Sequence, residues 1–134
     1  MNAFTLRLQD ATRSEEIGDV SAFVGEDGTG SFGIRAGHAR FMSILRIGLA
    51  RFRVGEGAWC YLASPGAVLY FHENTLTIST RRYLLDEDYT RISRALQDQL
   101  LAEEEMLQAM KDSLHRMEQA VLRRLWEMGR MEQG

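Results

Sequence analysis

The sequence predicts a mainly β then α chain, an α+β architecture in which a β-sandwich domain (residues 1–84) precedes a C-terminal helical domain (residues 85–134). Three observations carry that expectation. Apolar residues recur with period two through the first part, and turn-forming pairs punctuate it at close intervals. Between Asp86 and Met128 there is then no Gly and no Pro, while Leu, Met, Ala, Glu, Gln and Arg dominate. At 134 residues, with 45% apolar and 26% charged residues, the chain can build one small core and not two large ones.

Taken in order, Phe4, Leu6 and Leu8 alternate with Thr5 and Arg7, which writes a half-buried strand. Glu15 and Glu16 read as part of a turn and point apart rather than cooperating as acid and base. Gly30-Ser31-Phe32-Gly33-Ile34-Arg35-Ala36-Gly37-His38-Ala39 packs three glycines, a phenylalanine and an imidazole into ten residues. That composition predicts a shaped loop with positive-φ turns, held to a surface by an aromatic anchor, and it closes on the apolar run Phe41-Met42-Ser43-Ile44-Leu45. Ala50, Phe52 and Val54 alternate with Arg51 and Arg53. Trp59–Ala63 and Val68–Phe71 are continuous apolar runs suited to strands between two packed sheets, and Leu76 and Ile78 alternate with Thr75 and Thr77. Asp27-Gly28, Gly55-Glu56-Gly57, Pro65-Gly66 and Glu73-Asn74 supply the turns. From Asp86 onward the chain reads as helix, with Asp86 as N-cap and Glu87 and Asp88 in the first turn. Leu107, Met110, Leu114, Met117 and Val121, with Leu125 and Met128 beyond, form one apolar stripe that needs a partner surface.

Charge divides along the chain. Residues 1–85 hold nine arginines against eight acids, and residues 86–134 hold eleven acids against seven bases. Neither half has the sustained basic excess of a phosphate-tracking surface, so nucleic acid is not an expected partner. No run approaches the length of a bilayer span, the N-terminus lacks a secretory layout, and a soluble chain is expected. The single cysteine, Cys60, reads as a small buried hydrophobe. His38, His72 and His115 are too far apart in sequence and element type to suggest a zinc triad, and His38 reads as a structural hydrogen-bond donor. Phosphate-loop, metalloprotease and hydrolase-elbow motifs are all missing, so neither catalysis nor a cofactor or metal is expected.

The loop string resembles the signature loop of the epsilon subunit of rotary F-type ATP synthases, commonly G-E-x-G-I-L-P-G-H-A followed by a short apolar stretch. Leu76-Thr77-Ile78-Ser79-Thr80 fits the strand that closes that family's sandwich, and the β-then-helix tandem matches its plan over the whole chain. Gly30-Ser31-Phe32-Gly33, Ser79-Thr80-Arg81, and Leu114–Glu118 through Arg123–Met128 look closer still to the alternate branch called N-ATPases. The resemblance implies a non-catalytic rotor subunit on the cytoplasmic face of the bacterial inner membrane. It would clamp the gamma subunit, touch the polar loops of the c-ring, and send a helical arm toward the alpha/beta catalytic head. Contact with the membrane would be only indirect.

On that resemblance the gamma and c-ring interface comprises Ser31, Phe32, Ile34, His38, Phe41 and Met42. Asp88 and Arg91 are the remnant of an I/L-D-x-x-R-A nucleotide motif, here Glu87-Asp88-Tyr89-Thr90-Arg91-Ile92, and ATP should bind weakly or not at all. Arg116, Arg123 and Arg124 would be arm contacts, although Arg123 and Arg124 read equally well as charges favouring the helix dipole. Ala36 stands where the family commonly has Pro, and Ser31 where it has an acid. With no Gly or Pro to fix a bend, a hairpin near Leu101 to Glu105 is expected in the isolated chain, with straightening of little cost. The alternative from another class is a standalone coiled-coil adaptor whose β-sandwich module binds a ligand.

Overall fold

The computed structural model describes residues 2–133. Nine strands come first: β1 (Phe4–Gln9), β2 (Ser14–Asp27), β3 (Gly30–Ile34), β4 (Phe41–Leu45), β5 (Gly48–Val54), β6 (Trp59–Ser64), β7 (Ala67–His72), β8 (Thr75–Thr80) and β9 (Leu84–Asp86). Helix α1 (Tyr89–Ala95), a π-helical segment (Leu96–Leu101) and helix α2 (Ala102–Gln133) follow. The order β1-β8-β7-β4 makes one wall and β2-β5-β6-β9 the other, with β3 paired to β2. β1 lies parallel to β8 and antiparallel to β2.

Strand β2 joins the walls because it is long and bent. Asp19 takes a φ of 56°, and the pairing to β1 and to β5 shifts register around Val20, which is how a bulge re-aims one strand from sheet to sheet. Glu15 and Glu16 therefore lie in a strand, not in the expected turn. Their alternate directions give each a separate partner: Glu16 pairs with Arg7 at 2.9 Å, and Glu15 accepts a 2.7 Å hydrogen bond from the Tyr83 hydroxyl. Burial first, and then Glu15, push the Tyr83 phenol up to about 12. Arg13 stacks 4.1 Å over the Tyr83 ring and donates to its carbonyl, fixing the chain where it leaves the sandwich.

The alternation of β1 is met in full, with Phe4, Leu6 and Leu8 all buried beside Phe23, Phe52, Leu69, Phe71, Leu76 and Ile78. The expectation that β7 is covered on both faces is not. Val68 is half exposed, because β7 alternates like its neighbours and shows that face to solvent. The β7–β8 hairpin turns on Glu73 and Asn74, both at positive φ, the geometry of a two-residue type I′ turn.

Two compact units are present, one running through Leu101 and one formed by the residues from Ala102 on. Asp88, not Asp86, caps α1, accepting from the Arg91 N–H at 3.0 Å. Ile92 and Leu100 both bury against Ala63. Eight residues apart on a regular α-helix they would point about 80° away from each other. The wider π turns return both to one line, and the helix stays on the sandwich for its whole first part. The chain is helical through Leu101–Glu105, so the expected reversal there is absent and α2 is a single helix of 32 residues. The sequence supplies no residue to stop it, since Gly and Pro are missing from this stretch.

Candidate functional site

The loop between β3 and β4 is mounted on a string of rings. Phe23 and Phe32 stand 6.4 Å apart, Phe32 and Phe41 5.3 Å, Phe41 and His38 5.6 Å, His38 and Phe71 5.8 Å, and Phe71 and Phe4 5.6 Å. All five contacts are tilted or edge-on, the arrangement that aromatic quadrupoles favour. Gly25 gives the string room: a Cβ there would lie 2.8 Å from Leu45 and 3.0 Å from the rings of Phe23 and Phe32.

Within the loop, the His38 Nδ1–H donates to the Ala39 carbonyl at 2.7 Å, and the His38 N–H donates to Arg35. The Gly37 N–H donates to the Asn74 side chain at 2.9 Å, while the Asn74 amide donates to the Ala3 carbonyl at 2.7 Å. Asn74 thus staples the loop to the chain start. Gly30 and Gly37 take positive φ as expected, but Gly33 sits inside β3 opposite Val24, so the first half of the string is strand and not loop.

The six interface candidates separate into two kinds. Ile34 is 1% exposed and belongs to the core, and Phe32 and Phe41 are half-buried in the ring string. Ser31, His38 and Met42 face solvent. Met42 has two neighbours that the sequence reading did not single out, Ile44 on the same strand and Val68, which lies across from Ile44 on β7. The three are 67%, 69% and 50% exposed, a contiguous apolar patch on one wall. The signal was present in Phe41–Leu45, where period two sends Met42 and Ile44 outward together.

Asp27 fixes the edge of this patch. Its carboxylate accepts from the Ser43 hydroxyl at 2.6 Å, the Thr29 hydroxyl at 2.6 Å and the Thr29 N–H at 2.8 Å, tying the β2–β3 turn to β4. Those donors, Ser43 first, hold its pKa down from 3.8 to about 2. A depressed acid contributes stability above its unfolded value and loses it as pH falls through the folded one. Asp27→Asn is therefore expected to melt below the parent at neutral pH, with the gap closing between about pH 4 and pH 2. Thermal melts across that range test it, and a gap that persists at pH 2 would assign the loss to shape instead of charge.

The two residues of the nucleotide remnant are occupied locally. Asp88 is the cap of α1, and the Arg91 guanidinium holds Asp86 at 2.5 and 2.8 Å. Arg91 first, and then the Asp88 N–H, hold the Asp86 carboxyl down to about 2. Arg116, Arg123 and Arg124 lie exposed on α2, together with the apolar stripe. Cys60 packs against the core, and burial raises its thiol pKa. Among the described residues, no group of His, Cys, Asp or Glu is set to hold a metal, and no helix is long and apolar enough to cross a membrane.

Residues 4–85 match the family of the ATP synthase delta/epsilon chain β-sandwich domain. The chain is similar to ATP synthase epsilon chain 2 of Cereibacter sphaeroides, at 33% identity over 72% of this chain and 68% of that one. Against epsilon chain 2 of Paraburkholderia xenovorans it is 32% identical over 69% and 70%. Among solved structures it resembles a chain of the Euglena gracilis mitochondrial ATP synthase F1/c-ring assembly, with a TM-score of 0.59 at 17% identity, over 73% of this chain. A chain of the Tetrahymena thermophila central stalk and c-ring gives 0.53 at 14%, over 60%. The match spans 64% of the length of each solved chain, and at such identities it speaks for the fold alone.

Proposed function

The chain belongs to the ATP synthase delta/epsilon family, as an F-type epsilon chain, and from that premise we propose that it is a non-catalytic rotor subunit that docks gamma on the c-ring. The single observation that carries the docking role is the Met42, Ile44 and Val68 patch, which opens directly from the family's signature loop. A rigid block is what a torque-bearing clamp requires, and the ring string makes the loop part of that block. Ser31, exposed on β3 where the family commonly has an acid, would meet the polar loops of the ring with a neutral hydrogen bond. The likeness to two proteins named epsilon chain 2 supports a place in the alternate, N-ATPase branch. Its site of action is then the cytoplasmic face of the bacterial inner membrane, and the pumped ion, H⁺ or Na⁺, is chosen by the ring.

Co-expression with gamma tests the role. The full chain is expected to co-purify with gamma, and Ile44→Asp to lose it by at least about 2 kcal/mol, the size of an interface hot spot. Ile44 is a cleaner probe than Phe32, whose truncation would also open the ring string. Its exposure keeps the stability change of the isolated chain to about 1 kcal/mol, the span of strand propensity. A variant that stays folded and still binds gamma at full strength would remove the patch from the interface.

Nucleotide sensing is not part of this reading. Asp88 and Arg91 are already satisfied by the helix and by Asp86, so recruiting them for a phosphate would break the cap and the ion pair together. Calorimetry on the isolated chain is expected to register no saturable heat at micromolar ATP. Saturable binding that is abolished by Arg91→Ala would overturn this.

A further inference from the structure

Helix α2 carries a stripe of large, exposed apolar side chains. Leu107, Met110, Leu114, Met117, Val121 and Leu125 recur at spacings of three and four, and all are between 37% and 62% exposed. That spacing fits the seam of a coiled coil, with Met106, Leu122 and Trp126 exposed beside it. Charge along the helix is polarised as well. Residues 102–113 hold four carboxylates against one lysine, and residues 114–130 hold four arginines against two glutamates.

We propose that, outside the assembled complex, α2 pairs with α2 of a second copy of this chain in an antiparallel coiled coil. Polarised charge decides the direction. A parallel pair stacks the Glu103–Glu105 turn on its own copy and Arg123-Arg124 on theirs, whereas an antiparallel pair sets acid against base at both ends and aligns the helix dipoles favourably. The apolar spacing accepts the same direction. With Leu114 facing Met117 of the second copy, Met110 meets Val121 and Leu107 meets the Arg124–Leu125 step, so the central layers are filled from both sides. In that register Lys111 lies beside Glu118 of the second copy. The occupied seam is the one an arm would offer to gamma or the catalytic head, so pairing withholds the arm until the complex takes it up. This inference does not depend on the docking role of the β4–β7 patch, and loss of gamma binding on Ile44→Asp leaves it untouched.

Sedimentation equilibrium of the full chain at micromolar concentrations is expected to give twice the monomer mass. Leu114→Glu with Met117→Glu should return the monomer while near-ultraviolet circular dichroism of the sandwich is unchanged. On a Cys60→Ser background, mixing Met110→Cys with Val121→Cys should give mixed disulfides well in excess of either self-linked species. A monomeric parent would overturn the proposal, as would a dimer that survives the double glutamate variant. Predominance of self-linked Met110→Cys would overturn the antiparallel arrangement.

Discussion

Phe71→Ala is expected to cost the sandwich about 3 to 5 kcal/mol, the usual range for deleting a buried ring. Phe71 is fully buried, and it contacts Phe4 of β1 on one side and the His38 imidazole on the other. Its removal therefore opens a cavity between three segments far apart in sequence, which limits how far any one of them can collapse into the gap. Urea unfolding should register a lower midpoint with an unchanged slope. Protection of the Gly37 N–H against exchange should fall further than that of β8, since His38 and its loop lose their inner support. A loss below 1 kcal/mol would mean that the core repacks freely and that the loop owes its shape to Asn74 instead.

The parts of this structure that could be read from the sequence are those with a period. Phe4, Leu6 and Leu8 alternate because one side of β1 is core, and the same rule gives β5 and β8. What was not legible depends on the partner of a strand. Whether Val68 is buried depends on a second layer over β7, and a run of four apolar residues looks the same with or without it. Glu15 and Glu16 resemble a turn because nothing local announces that their partners are Tyr83 and Arg7. Phe32 reads as an anchor from sequence, yet the ring string appears only when β1, β2, β3, β4 and β7 come together. At Asp86 the capping rule chose an acid two residues early, since the guanidinium of Arg91 claims Asp86 and leaves Asp88 for the backbone.

The chain is helical through Leu101–Glu105. If α2 is the element that reaches gamma or the catalytic head, deleting the residues after Glu105 should raise ATP hydrolysis by the assembled enzyme severalfold. The sandwich itself should be indifferent to the deletion. Its core is built from β1 to β9, and Ile92 and Leu100, which hold the first helical turns, lie before the cut. The described side chains of α2 beyond Glu105 are all exposed.

An inhibitory arm can act only through a difference in contacts between the inhibited and active states. Shifting the complex from mostly active to mostly inhibited takes several kcal/mol of such difference. A seam of six apolar side chains can supply it at roughly 1 to 2 kcal/mol each when half-exposed residues become covered. Leu114→Glu with Met117→Glu in the full chain should then mimic much of the truncation, because it spoils the seam while keeping the helix. Steady-state hydrolysis by the parent, the truncated complex and the seam variant separates the possibilities. Equal rates in all three would mean that α2 braces the stalk without restraining the motor. A truncation that activates beside a silent seam variant would move the inhibitory contact to the charged face, where Arg116, Arg123 and Arg124 would be the next residues to replace.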